Sequence, residues 1–358
     1  MPHDRRRTGR ALLLVAVVIV VALLLLLPPT QDLLRKYLVD PFSPQYPEEV
    51  ELGFKRTMTL DANGGHITNY IFDLPRPVGL QGGDGHLQEI SSLDLSTHYD
   101  ELWDNGTYET MVWSGEDLYS TRSISLTFYV RQTLHRWDLD ETTVLGREQV
   151  PQELQDRYLG DEWKITPGEP GIQALSAQIV AGETNVFLVA RSIYDWMLEN
   201  IEYPNLIVSG EPRSALETYE DGEGDCDDQS ILFCALARAS GVPAWLQLGA
   251  IYDRNTNEMG GHGWVQMHMP TAKGGVNVTI DLVNEKFLIW MPNLFCEFTD
   301  NGDPDALRDY YHPIIITYDS SSYPLGTYPE FEEGWEVLSY EEGEMVPLSL
   351  ELMARADD

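Results

Sequence analysis

Two periodicities divide the chain. Between about Glu49 and Asp138 apolar and polar residues alternate, as in Val50-Glu51-Leu52-Gly53-Phe54 and Ile67-Thr68-Asn69-Tyr70-Ile71-Phe72. The most regular stretch is Ser123-Ile124-Ser125-Leu126-Thr127-Phe128-Tyr129-Val130. A period of two puts one face of a strand against a core. Turn residues at Ala62-Asn63-Gly64-Gly65, Gly82-Gly83-Asp84-Gly85 and Asp104-Asn105-Gly106 separate the runs. Several short strands punctuated this way predict a β-rich, sandwich-like domain over residues 49–147.

After Pro167 the spacing becomes helical. Residues 171–181 read as one helix. Thr184 or Asn185 can cap a second that runs to about Asn200, with Val186, Val189, Ala190, Ile193, Trp196 and Met197 on one face. A short helix around Ser214 to Tyr219 leads into an Asp/Gly-rich turn, and from Ser230 to Ala239 the chain is apolar nearly all round. A helix of that kind sits at the centre of a fold. Gly241 and Pro243 end it.

Two further runs, residues 262–269 and 276–283, read as a hairpin. Matching their apolar faces pairs Val265 with Ile280, Met267 with Val278 and Met269 with Val276. The same register puts Trp264 opposite Asp281, Gln266 opposite Thr279 and His268 opposite Asn277. His262 then lies diagonal to Asp281 on one face, within side-chain reach. A slip of one residue would send Asp281 to the other face and break the apolar match.

The N-terminus changes the picture of location. Residues Ala11 to Leu27 are 17 uninterrupted apolar residues, preceded by Arg5, Arg6, Arg7 and Arg10 and closed by Pro28-Pro29. This predicts a single membrane-spanning helix at residues 11–27, with residues 1–10 cytoplasmic, a juxtamembrane linker at residues 28–48 and the bulk of the chain outside. A cleaved signal peptide is the alternative, although no small-x-small cleavage site follows. The net charge is −35, from 23 basic and 58 acidic residues in 358. Such a surface repels nucleic acid, which is excluded as a partner. The oligomeric state is not encoded in any visible pattern.

Candidate chemistry centres on Gly224-Asp225-Cys226-Asp227-Asp228-Gln229, which runs into the apolar helix. A thiol in the first helical turn faces unpaired N–H groups and the positive end of the dipole, which favour thiolate. Asp225 is a plausible N-cap and Asp228 an N3 residue. Their charges oppose a thiolate, so a nearby cation, such as protonated His, is required. Cys226, His262 and Asp281 together supply nucleophile, base and orienting carboxylate. A zinc site from Cys226, His262, His268 and Asp281 is possible in residue type, but the spacings match no metal motif, and no metal or other cofactor is expected. Of the other cysteines, Cys234 reads as a core residue, and pairing of Cys234 with Cys296 is left open.

In these motifs the chain resembles the transglutaminase-like superfamily, which shares a papain-like core. The resemblance rests on Gly224 to Ser230, on Ala235-Leu236-Ala237-Arg238-Ala239-Ser240-Gly241-Val242-Pro243-Ala244-Trp245, on Gly261-His262-Gly263-Trp264-Val265, and on the strand bearing Asp281. It implies an α+β fold in which a central Cys-bearing helix packs on an antiparallel sheet, here over residues 148–300, followed by an acidic C-terminal extension at residues 301–358. Ile314 to Tyr318 could add a strand there. It also implies that Cys226 attacks a protein or peptide amide, that His262 moves the proton, that Asp281 orients His262, and that a thioester forms. Hydrolase and acyltransferase remain open, as does a non-catalytic surface module that binds peptides. The chain departs from the family at Glu223, where Arg is frequent, at Gly263, where Ala is usual, and at Leu282-Val283, where Pro and Thr are common.

Overall fold

The computed structural model describes residues 44–82, 85–204 and 210–348. The chain divides into two units. In the smaller, the described residues are 44–46 and 345–348, and the Leu348 N–H donates to the Pro44 carbonyl. The larger spans residues 47–344. It is mixed α/β and mostly sheet.

The alternating N-terminal runs form strands longer than the sequence pattern marked: Glu49–Asp61, His66–Arg76 and Thr121–Thr133. One five-stranded antiparallel sheet has the order Glu330–Glu342, Glu49–Asp61, Thr121–Thr133, Gly85–Leu95, Leu80–Gly82. A four-stranded antiparallel sheet has the order Ile314–Asp319, His66–Arg76, Glu109–Leu118, Glu101–Asp104. Their apolar faces share one core, in which Phe54, Phe72, Trp113 and Phe128 are essentially fully buried.

Two strands of this pair of sheets come from the stretch expected as an acidic extension. Ile314–Asp319 contains the strand suggested at that position. Glu330–Glu342 was not anticipated. Its Phe331, Trp335, Val337 and Tyr340 lean on the core, and Glu333 on the same face pairs with the buried Arg56. A bulge at Leu338 shifts the phase between Val337 and Ser339, so the period of two is broken and hidden among glutamates.

A second five-stranded sheet, in the order Lys286–Phe287, Val276–Asp281, Glu258–Met269, Ala244–Asp253, Leu294–Thr299, is also antiparallel. The helix Cys226–Ala239 packs on its Ala244–Asp253 and Glu258–Met269 strands, and the helices Pro170–Val180, Val186–Asn200 and Ala215–Asp221 surround it. Its residues from Asp228 to Arg238 are all buried, as an all-round apolar helix requires. Arg238, the charge inside it, is held at 2.5 Å by Glu162 and 3.2 Å by Asp300.

The expected single-pass membrane placement is corrected. Among the described residues no helix is long and apolar enough to cross a membrane. The longest, Val186–Asn200, has 15 residues and carries Arg191, Asp195 and Glu199. Its length of about 22 Å falls short of a hydrocarbon core of about 30 Å. The apolar run at residues 11–27 lies outside the described residues.

Candidate active site

Cys226 opens its helix, as the capping pattern predicts. Asp225 is the N-cap and Asp228 the N3 residue, and each carboxylate accepts from the other's backbone N–H. The turn before it is tight. A Cβ on Gly224 would lie 2.6 Å from Asp228 Cβ and 2.9 Å from Thr218 Cγ2, so only glycine fits. Gly241, just past the helix end, has φ +83, the left-handed conformation of a C′ residue.

The hairpin has the predicted register. Val265, Gln266, Met267, His268 and Met269 face Ile280, Thr279, Val278, Asn277 and Val276 in turn. His262 and Asp281 are therefore brought together, with Nε2 2.9 Å from Asp281 Oδ2 and both residues buried. Asn284, which sequence reasoning missed, completes the carboxylate's shell. Its side-chain amide donates to Asp281 Oδ2 at 2.8 Å, and its backbone N–H donates to Oδ1 at 3.2 Å. The one signal for it is its position three residues beyond Asp281, in the turn that ends the strand.

Burial disfavours the imidazolium of His262, but the charge of Asp281 and its hydrogen bond outweigh burial and raise the pKa above its ordinary value. Burial likewise works against the Asp281 carboxylate, yet His262 and Asn284 hold its pKa below the usual range. With Nε2 turned to Asp281, Nδ1 occupies the opposite edge of the ring.

Cys226 and His262 line one cavity of about 620 Å³, together with Tyr203, Arg213, Asp227 and Tyr311. That volume suits a peptide side chain or a small organic substrate. The half-buried thiol donates to Asp227 Oδ1 at 3.4 Å and accepts from the Gly263 N–H. Tyr311 donates to Asp227 Oδ2. Burial raises the Cys226 pKa strongly, and the Asp227 charge raises it further, so the resting thiol is neutral. Burial also raises the pKa of Asp227, although the Tyr311 hydroxyl opposes that shift.

Asp227 and Tyr311 were not anticipated as a pair. They are 84 positions apart and nothing local links them. The sequence shows Glu223 where an arginine was expected. The structure supplies Arg213 instead, whose N–H groups bond Asp228 and Glu223. Asp281 does not line the cavity itself and meets it through His262.

His268 lies away from this cavity and bonds Asn277 at 2.9 Å, so the four-residue zinc grouping is not assembled. Among the described residues no group of three or more His, Cys, Asp or Glu is placed to hold a metal. Cys234 and Cys296 are buried free thiols.

Residues 173–278 match the model of the transglutaminase-like superfamily core, a span that includes Cys226 and His262. Among solved structures, a cysteine protease candidate from Cytophaga hutchinsonii is similar over 86% of this chain and 93% of its own, with 16% identity and a TM-score of 0.55. At that identity the likeness concerns the fold. The periplasmic domain of TgpA from Pseudomonas aeruginosa is matched at 11% identity over 65% of this chain and 88% of its own, with a TM-score of 0.33. No curated protein matches the chain in sequence. Residues 173–278 are thus a transglutaminase-like superfamily domain within a mixed α/β chain.

Proposed function

We propose that the protein is a cysteine hydrolase or acyltransferase acting on protein or peptide amides, with Cys226 as nucleophile, His262 as base and acid, and Asp281 as the group that orients His262. The observation that carries this reading is the buried His262–Asp281 pair, 2.9 Å apart, whose His262 lines the same cavity as Cys226. Asp281 fixes the tautomer and stabilises the imidazolium that forms when His262 takes a proton.

Because the resting thiol is neutral, its proton leaves as Sγ attacks. The sulfur bonds to the amide carbon, the carbonyl becomes an oxyanion, and the thiol proton passes to His262. The Cys226 N–H, at the start of a helix, has no intrahelical acceptor and is available to the oxyanion. Collapse breaks the C–N bond, and His262 returns the proton to the departing amine. The thioester then passes its acyl group to water or to a second amine.

The neutrality of the thiol is also what favours the second reading, a peptide-binding module without catalysis. Acylation of the full chain by a p-nitrophenyl ester, read by intact mass, separates the two. An adduct is expected that is absent in Cys226→Ala and forms about 10²–10⁴ times more slowly in His262→Ala. Cys234 and Cys296 are buried, so background modification is low. No adduct dependent on Cys226 would leave the binding module standing. Partition of the adduct between water and added glycine methyl ester distinguishes hydrolase from transferase.

A further inference from the structure

Tyr310 lines the cysteine cavity and also a second, smaller one of about 70 Å³. The second is walled by the rings of Trp103, Tyr108, Phe298 and Tyr310 and contains the carboxylates of Asp73 and Asp309. These come from separate places: Trp103 from the sheet-edge strand Glu101–Asp104, Asp73 from His66–Arg76, and Asp309 and Tyr310 from the short helix Ala306–Tyr311. The Tyr108 and Phe298 rings are 4.6 Å apart and the Phe298 and Tyr310 rings 4.8 Å, so the wall is a continuous aromatic surface. Trp103 is 45% exposed, and its indole N–H is tied to Glu101.

The carboxylate of Asp73 is the unexplained group. Its Oδ1 is buried and has no hydrogen-bond partner among the described residues. A buried polar atom left this way calls for a partner. Burial and then Asp309 raise the Asp73 pKa. Burial, Asp309 and the acidic residues beyond it push Tyr108 up to about 12. Burial is the larger cause of both shifts, and the neighbouring carboxylates add to it. Among the described residues no basic side chain lines the cavity to balance it.

We propose that this cavity binds an organic ammonium group, a primary or methylated alkylammonium, with Asp73 as its counter-ion and the rings of Trp103, Tyr108 and Tyr310 as its cage. A carboxylate backed by aromatic faces attracts such cations through charge and through the ring quadrupoles. The volume is several times that needed by one water and accepts an ammonium head with small alkyl substituents. A hard metal ion needs six or more oxygens, and among the described residues no group of three or more His, Cys, Asp or Glu is placed to hold one. An anion would meet two carboxylates. The site does not depend on the thiol chemistry.

Saturation-transfer NMR on the full chain tests this, with n-butylammonium and tetramethylammonium chlorides as probes and 1-butanol and sodium chloride as controls at matched ionic strength. Transfer to both cations and not to 1-butanol is expected, with Kd on the order of millimolar. Asp73→Asn and, separately, Trp103→Ala should each weaken binding at least tenfold. Neither removes a core contact, and an unchanged unfolding midpoint verifies the fold. Carbamidomethylation of Cys226, which lines only the larger cavity, should leave the transfer unchanged. Equal transfer to 1-butanol, transfer that survives both substitutions, or transfer lost on Cys226 alkylation would overturn the assignment.

Discussion

Gly263→Ala probes how the cysteine turn is fitted to the histidine strand. Alanine is the residue the family resemblance implies here, yet its methyl group would sit 2.6 Å from Asp227 Oδ1 and 2.8 Å from Leu248 Cδ2. Both distances are well inside ordinary contact, which begins at 3.4 Å. Leu248 can rotate at its tip. Asp227 has less freedom, because Oδ1 meets the Cys226 thiol and Oδ2 is held by Tyr311. The strain therefore falls on the side chain beside the nucleophile. One extra methyl group in a packed site costs about 1–3 kcal/mol, or a fall of roughly 2–5 °C in the unfolding midpoint. Asp227→Ala removes the obstacle, so the double variant should lose less than the two single losses combined, by about 1 kcal/mol. Removing the Asp227 carboxylate also takes a negative charge from beside Sγ, so iodoacetamide should label Cys226 faster at neutral pH in Asp227→Ala than in the wild type. Strict additivity of the two substitutions, or a cost for Gly263→Ala below about 0.5 kcal/mol, would refute the reasoning.

Asp281→Asn should cost about 1–3 kcal/mol, measured by urea denaturation across pH. The raised His262 pKa contributes stability that is complete below 6.5 and lost as pH climbs through the folded value above it. The lowered Asp281 pKa contributes stability present above 3.8 and lost as pH drops through the folded value below it. The difference between wild type and variant should thus be greatest between those two limits, and a flat difference across pH 3–9 would contradict it. Arg238→Leu leaves Glu162 and Asp300 buried without their cation and should destabilise the chain by about 3–5 kcal/mol. A loss under about 1 kcal/mol in chemical denaturation would show that the two carboxylates are neutralised in another way.

The parts of the site that were legible in the sequence are those set by local pattern. The helix start is written in Asp225 and Asp228, and the hairpin register in three apolar pairs, so the His262–Asp281 contact follows from one-dimensional information. The contacts that were hidden are non-local. Tyr311 reaches Asp227 from a six-residue helix with no periodic signature, and Arg213 reaches the cysteine turn from the far side of another helix. The strand Ala244–Asp253 lies between two others and is buried on both faces for most of its length, so it shows no alternation to read. The membrane placement failed for a different reason. It rests on a hydropathy run and its basic flank, and among the described residues no helix supports it.

The pairing of Glu330–Glu342 with Glu49–Asp61 sets Val50 opposite Glu342, far apart in sequence. The β-layers are therefore closed by a late-synthesised segment. During translation the edge of Glu49–Asp61 stays open until residues 330–342 have left the ribosome. Closing so long a loop is entropically slow, and it makes assembly of the β-layers the step most exposed to mispairing. The same clasp means that a shortened version ending near residue 300 forfeits one strand from each layer, so the transglutaminase-like segment cannot be cut free at its C-terminal side without undoing the scaffold that it packs against.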